Sequence, residues 1–280
     1  MEEDLLSDEQ LIEKLKSLQS PLKNLRQQYK RTPVNIDYSD KDIQLSYLIG
    51  YCPYYAESTF RVLSKLDDVI NLDDGLEVSL VGSGCCPEAF GILKYLQNKG
   101  MHANYRITVK SFDINIEGWA YSRNLILKKF LLTHFQDCKI NDQTYYYDFT
   151  DTKNNSINTQ IADSRIILFQ NCFNESSMSS HNMILHNIEQ IISSMKSNSV
   201  LLFIDFLNYG EVRSLFVKIF DYFNNQGLNT LGSPTEEINL DLQDINNRMP
   251  APIMDYLLNG ESGLIARRRV KLCYMGAHKN

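Results

Sequence analysis

Residues 76–93, LEVSLVGSGCCPEAFGIL, run from an apolar stretch into Gly-Ser-Gly, two cysteines, a proline and an amphipathic segment. Leu76 to Gly82 is short, apolar and ended by glycine, which predicts a buried strand. Pro87 suits the first turn of a helix and Gly100 its end, so the next segment reads as a helix. Three readings of the turn between them stand open at this point. It is a loop that lets a ligand approach the backbone, a metal or redox site, or an ordinary strand-to-helix connection.

Downstream the same alternation recurs. YRITVKSFDI (105–114) reads as a strand, EGWAYSRNLILKKFLLTHF (117–135) as a helix and DQTYYYDF (142–149) as a strand. SRIILFQNCF (164–173) is a strand, MILHNIEQIISSM (183–195) a helix, SNSVLLFIDFL (197–207) a strand and EVRSLFVKIFDYFNNQG (211–227) a helix. Strands alternating with helices imply a mostly parallel sheet covered on both faces. LNTLGSP (228–234) reads as a strand end. Residues 233–262 are polar and loop-rich, with one short helix near Met254–Leu258, and read as an insertion. ARRRVKLCYMGA (266–277) follows with no helix directly before it, which suits an antiparallel strand at the sheet edge.

Upstream the period is helical. Leu11, Leu15 and Leu18 share a face, and Pro21 breaks or restarts the helix. Ser39 with Asp42 is a candidate helix N-terminal box. Tyr47 and Tyr51 share a helical face, Pro53 interrupts, and a further helix carries Phe60, Leu63 and Leu66. The expected organisation is a helical cap over residues 1–70 and a sheet-based core over 71–280.

Composition bounds what such a chain does. Its 280 residues, 43% hydrophobic and 22% charged, suit one large globular domain or a domain with an extension. No stretch approaches the ~18–20 apolar residues of a membrane span. The acidic start MEEDLLSDEQ lacks the basic-then-apolar order of a secretory signal, so a cytoplasmic protein is expected. The net charge of −6 argues against a broad nucleic-acid surface. Arg267, Arg268, Arg269 and Lys271 form the one dense basic cluster; the solvated edge of the last strand is the favoured reading, a contact to a phosphate or carboxylate substrate the other. Six cysteines occur without a C-x-x-C pair and read as reduced thiols. A disulfide between adjacent Cys85 and Cys86 would be strained, so both read as small turn residues. His102, His134, His181, His186 and His278 have no ligand spacing, and no metal site is expected.

The strand ends carry the polar residues. In an open parallel sheet, ligands bind beyond the carboxyl ends of the strands. The pattern G-x-G-x-x-G fails at Pro87, and no P-loop Gly-Lys-Ser/Thr follows. Asp113 ends the second strand, where a carboxylate can accept from both hydroxyls of a ribose. Asp148 ends the third, where it can accept from an adenine amino group, with Phe149 placed to pack on the ring. Gln170, Asn171, Asn174 and Glu175 appear abruptly at the end of the fourth.

This layout resembles the class I, Rossmann-like, S-adenosylmethionine-dependent methyltransferases. The resemblance rests on Val78–Cys86 as motif I, Asp113 as the motif II acid, Asp148-Phe149 as motif III and Gln170-Asn171 as motif IV. It covers roughly residues 70–210 and the late edge strand. It implies a seven-stranded sheet with an antiparallel last strand, and S-adenosyl-L-methionine as cofactor. Gly82, Ser83 and Gly84 would line the methionine part, Asp113 hold the ribose and Asp148 the adenine, with Phe149 on the ring, Trp119 beside the adenosine, and Ile114 and Gln170 among the other cofactor-binding residues. Tyr51 and Tyr54, flanking Pro53, are the lid candidates over the sulfonium; Tyr47 and Tyr55 read as packing against the sheet. Glu175 is the candidate base and Asn171 a candidate for orienting the acceptor. The family's acid two residues before the first glycine is replaced by Leu80, and its third glycine by Cys86; Glu88 or a cap residue is the candidate substitute for the acid. The expected acceptor is a small molecule or peptide, with ribosomal or other RNA and a non-catalytic scaffold as alternatives.

Overall fold

The computed structural model describes the chain except residues 1–5, 32–33, 73–74, 102–104, 152–156, 177 and 207–209. His102 and the first residues of the acidic N-terminal stretch therefore lie outside the described residues.

The cap is made of α1 (Asp8–Ser17), α2 (Gln19–Gln28), α3 (Lys41–Gly50) and α4 (Cys52–Lys65). A capping box between Ser7 and Gln10 starts α1. The break between α1 and α2 falls at Leu18, ahead of Pro21, which sits in the first turn of α2 where its missing N–H costs nothing. The cap of α3 is Asp40, whose carboxylate accepts from the N–H groups of Asp42 and Ile43. Ser39 is not the cap: its hydroxyl donates instead to Asp37 at 2.6 Å. The chain bends at Tyr51, and Pro53 lies in the first turn of α4.

The core begins with β1 (Gly75–Val81), α5 (Pro87–Asn98) and β2 (Arg106–Asp113). α6 (Ala120–Asn124) runs through a π-helical stretch, Leu125–Phe130, into α7 (Leu131–His134). β3 (Lys139–Tyr146), α8 (Ile157–Ile161), β4 (Ile166–Gln170), α9 (His181–Ser194), β5 (Ser199–Phe206) and α10 (Gly210–Asn225) follow. The chain ends with β6 (Asn229–Asp241), α11 (Gln243–Arg248), α12 (Ala251–Tyr256) and β7 (Arg269–Lys279).

The seven strands form one sheet in the order β3-β2-β1-β4-β5-β7-β6. β1 pairs in parallel with both β2 and β4, and β7 is antiparallel to β5 and β6. This is a Rossmann-like, mostly parallel seven-stranded sheet with an antiparallel last strand, as the resemblance implied. The segment expected as an insertion from 233 is corrected: β6 runs on to Asp241, with an irregularity between Ser233 and Ile238. Its polar outward positions mask the strand because β6 is an edge strand whose exposed residues Thr235, Glu236, Glu237 and Asn239 alternate with or run beside inward-facing Pro234, Ile238 and Leu240. The irregular part is then 242–268 and holds two short helices, not one.

Alternation along the strands sends side chains to two cores. Leu76, Val78 and Leu80, with Leu168 and Leu202, pack on the cap side. Val81, Phe112, Ile167, Phe169 and Phe203 pack against α9 and α10 on the other. Leu80 is fully buried, so an acid at that position would lie in an apolar layer. No helix among the described residues is long and apolar enough to cross a membrane.

The cap is held to the sheet by helix packing and by amide side chains. α4 crosses α5 at Gly91, where an added Cβ would overlap the Ala56 carbonyl oxygen and fall 2.7 Å from Thr59 Cβ. The Gln44 amide, buried in α3, donates to the Gly118 carbonyl at 2.6 Å and accepts from the Ser122 N–H at 2.9 Å. Gly91→Ala is expected to lower stability by about 1–3 kcal/mol despite alanine's better helix propensity, because the crossing helices must separate. Urea unfolding of the two proteins checks this; an unchanged or raised midpoint would show that the crossing relaxes freely.

Candidate functional site

The turn after β1 meets the end of β2. Gly82 and Gly84 have φ of 65° and 51°, values that favour glycine. A Cβ on Gly82 would fall 2.5 Å from the Cys172 Cβ, and one on Gly84 3.0 Å from the Trp119 ring. Both glycines thus serve close packing as well as the bend. Cys86, in place of a third glycine, adopts the same left-handed conformation, with φ of 63°. Its N–H closes the turn onto the Ser83 carbonyl at 2.7 Å. The turn is thus closed with Leu80 buried beneath it and Cys86 in the left-handed region.

Asp113 ties the two strand tips together. Its Oδ2 accepts from the Gly84 N–H at 2.8 Å, and its Oδ1 from the Asn115 N–H at 2.8 Å. Each carboxylate oxygen keeps capacity for a second donor. Burial raises the Asp113 pKa, while the Asn115 and Gly84 N–H groups and the nearby Arg123 lower it.

A cavity of about 330 Å³ opens at these tips. Gly82, Ser83, Gly84, Asp113, Ile114, Trp119, Asp148, Phe149, Gln170, Asn171 and Glu175 all line it. The structure thus brings eleven of the thirteen sequence-derived site residues to one wall. Asp148 Oδ1 accepts from the Thr150 N–H and hydroxyl, an Asx-type turn that holds the carboxylate in place. Phe149 packs edge-on against Phe169 and Phe173. Trp119 stacks on Tyr38, with ring centroids 4.2 Å apart.

Three expectations need correction. Tyr51 and Tyr54 do not line the cavity; each is 1% exposed. Tyr51 packs among Tyr29, Tyr47 and Tyr55, and the Tyr54 hydroxyl donates to Asn246 at 3.3 Å. Tyr38, ahead of α3, and Tyr47, within it, stand on the cavity wall instead. Gln170 borders the cavity, but its amide is committed elsewhere. It accepts from the Thr59 hydroxyl at 2.5 Å and donates to the Tyr55 carbonyl at 2.9 Å, pinning α4 to β4.

Glu175 is held by the cap. The Tyr38 hydroxyl donates to it at 2.9 Å, and the Tyr29 and Tyr38 hydroxyls lie 2.8 Å apart. Glu175 is set deep among protein atoms yet turns an open surface to the cavity. Burial raises its pKa, to about 7, against the lowering effect of the Tyr38 bond. Water on the cavity side offsets part of that rise. Asn171, at φ 53°, leaves both polar atoms of its buried amide without a partner. Glu88 sits in the first turn of α5, 3% exposed, with its Oε2 unpartnered. Burial, helped by Asp113, pushes its pKa up to about 8.

Tyr38, Tyr29 and Asn35 escaped sequence reasoning. They lie on or beside the connection between α2 and α3, which has no periodicity to read. That connection crosses the cavity and is anchored by the Val34 N–H to the Asn174 carbonyl at 3.2 Å. Thr150 had a readable signal, since an acid two residues before threonine is an Asx-turn pattern. Asp205 was also missed. It is buried in β5, off the cavity, and burial raises its pKa to about 8. Among the described residues no cluster of side chains could hold a metal ion.

No protein-family model matches the sequence, and no curated protein matches it either. Solved structures do resemble it in shape. The plantazolicin methyltransferase, solved in complex with SAH, is 14% identical over 94% of this chain and 100% of that one, with a TM-score of 0.48. A putative S-adenosyl-L-methionine-dependent methyltransferase from Methanococcus maripaludis is 10% identical over 86% and 91% of the two chains, at 0.41. The CMeT domain of the citrinin polyketide synthase is 11% identical over 96% and 70%, at 0.44. Likeness at this level says nothing about substrate.

The buried acids set a pH dependence. Between about pH 5 and pH 8 the folded chain retains protons on Glu88 and Asp205 that the unfolded chain has released, so stability falls as pH rises. Glu88→Gln is expected to flatten this slope and to be more stable than the parent at pH 8 by ~1–3 kcal/mol. Urea unfolding at pH 5.5 and 8 measures it; parallel slopes for the two proteins would show that Glu88 ionises as easily folded as unfolded.

Proposed function

We propose that this chain is an S-adenosyl-L-methionine-dependent methyltransferase acting on a small-molecule or peptide acceptor. One observation supports it above the rest. Glu88, Asp113, Asp148 and Glu175 line a single cavity, and no lysine or arginine is among its described lining residues. A cavity walled by carboxylates and aromatic faces favours a cationic ligand and disfavours the pyrophosphate of a nicotinamide dinucleotide. The nucleoside fits the acids at the tips of β2 and β3. The open capacity on Asp113 suits two ribose hydroxyls, and Asp148 suits an amino group on a base. Glu88 lies where an ammonium group would satisfy its unpartnered oxygen, in place of the acid that Leu80 displaces.

When bound, the cofactor supplies a methyl group on a positively charged sulfur. The chain's own residues do the rest. Tyr38, Tyr47 and Trp119 exclude water and present π-faces to positive charge. The unpartnered Asn171 amide orients the acceptor, and Glu175, whose pKa is raised toward neutrality, receives its proton. The non-catalytic reading loses support, because the cavity is open and Leu80 and Cys86 leave its walls intact. The net charge and the acidic cavity weigh against long RNA.

Isothermal calorimetry should show binding of S-adenosylmethionine and S-adenosylhomocysteine, and none of NAD(H) or NADP(H). Asp113→Ala is expected to weaken both by ~1.5–3 kcal/mol through lost charged hydrogen bonds. Absence of binding by either cofactor form would refute the proposal, and unchanged affinity in the variant would remove Asp113 from the ribose contact.

A further inference from the structure

Two arginines lie near one another beyond the end of β5, outside the cavity. Arg26, on α2, donates from Nη2 to the Ile265 carbonyl at 2.9 Å. Arg267, two residues along that same chain, lies over the Tyr51 ring at 4.6 Å from its centroid and over Phe206 at 5.8 Å. Both side chains are half-buried. Among the described residues neither forms an ion pair with a carboxylate. Burial lowers the Arg26 pKa and the nearby Arg267 adds to the effect, against the neighbouring Tyr51 and Tyr54 hydroxyls. Arginine stays charged even so. Two partly desolvated like charges repel, and an oxyanion between them removes that repulsion while accepting planar, paired N–H bonds.

The position matters as much as the charge. Phe206 ends β5, and Gln170 and Asn171 close β4 on the cavity side. β4 and β5 are paired, with Gln170 opposite Ile204 and the Asn171 N–H bonded to the Ile204 carbonyl at 2.9 Å. Neighbouring strands lie about 4.8 Å apart, so Phe206, which packs beside Arg267, ends the strand next to the one that carries Gln170 to the cavity. Tyr51 bridges the two regions. It packs under Arg267 and against Tyr29 and Tyr47, whose rings line the cavity, at centroid distances of 5.0 and 5.4 Å.

We propose that Arg26 and Arg267 form an oxyanion-binding subsite, and that the acceptor carries a carboxylate or phosphate group held there while its reacting end points to the cavity. The word acceptor rests on the methyl-transfer reading; the anion subsite does not. The arrangement separates charges by function. The acidic cavity takes a cationic cofactor, and the basic pair outside it takes the anionic end of a second molecule.

The test titrates inorganic phosphate and acetate separately into the full chain, followed by thermal unfolding and calorimetry, with sodium chloride at matched ionic strength as reference. At least one anion should raise Tm beyond chloride. Arg26→Gln and Arg267→Gln should each weaken that response about tenfold or more. Arg267→Lys, which keeps the charge but loses the planar fork, should fall between, and it carries the test if a glutamine variant fails to fold. S-adenosylhomocysteine affinity should be unchanged in all. A stronger response to phosphate assigns a phosphorylated acceptor, and one to acetate a carboxylate. No response beyond chloride in the parent protein, or an undiminished response in the variants, overturns the subsite. Failure of S-adenosylhomocysteine to bind the parent, with the anion response intact, overturns the cofactor reading and leaves the subsite standing.

Discussion

The bond from the Gly84 N–H to the Asp113 carboxylate holds the site together. It joins the tips of two parallel strands inside the protein, where few other groups compete for either partner. A charged acceptor makes such a bond stronger than a neutral one. With the Asn115 N–H on the other oxygen, it fixes the carboxylate's plane and the turn's height in one step. The cavity, the glycine turn and the Trp119 ring then have defined positions relative to one another. Asp113 is thus part of the frame of the turn.

The helical cap completes what the sheet begins. An open sheet edge offers a floor but no roof. Here the connection between α2 and α3 lays Tyr38 over Trp119, and its hydroxyl reaches Glu175 on the sheet side. Buried amides hold the cap in register: Gln44 on the turn after β2, and Gln170 on α4. Each spends its hydrogen bonds on tethering, which is why Gln170 borders the cavity without offering its amide to it. Buried amides with both ends satisfied specify geometry more sharply than apolar contact does.

Charge placement follows the same economy of position. An acid at Leu80 would have been buried among Val78, Leu168 and Leu202 on the cap side. The first turn of α5 brings Glu88 to the cavity from another direction, and burial there raises its pKa to about 8. Cys86 takes the same left-handed backbone conformation as Gly82 and Gly84 before it.

The amino-acid sequence by itself determined the alternation of strands and helices, the parallel sheet and the acids at strand ends. Those features are local: a strand's apolar run, its last residue and a glycine bend are set by nearest neighbours along the chain. It also determined that Gly82, Asp113 and Asp148 fall at three strand tips, which a parallel sheet must bring to one edge. Tertiary structure alone decided which tyrosines face the cavity. Tyr47, Tyr51, Tyr54 and Tyr55 lie within nine residues, yet the fold buries three of them as packing and leaves Tyr47 on the cavity wall. It alone decided that Tyr38 caps Glu175, that Gln170 is committed to α4 and that β6 runs through a polar stretch. Each depends on contacts between residues far apart in the chain, and side-chain direction is settled by those contacts, not by periodicity.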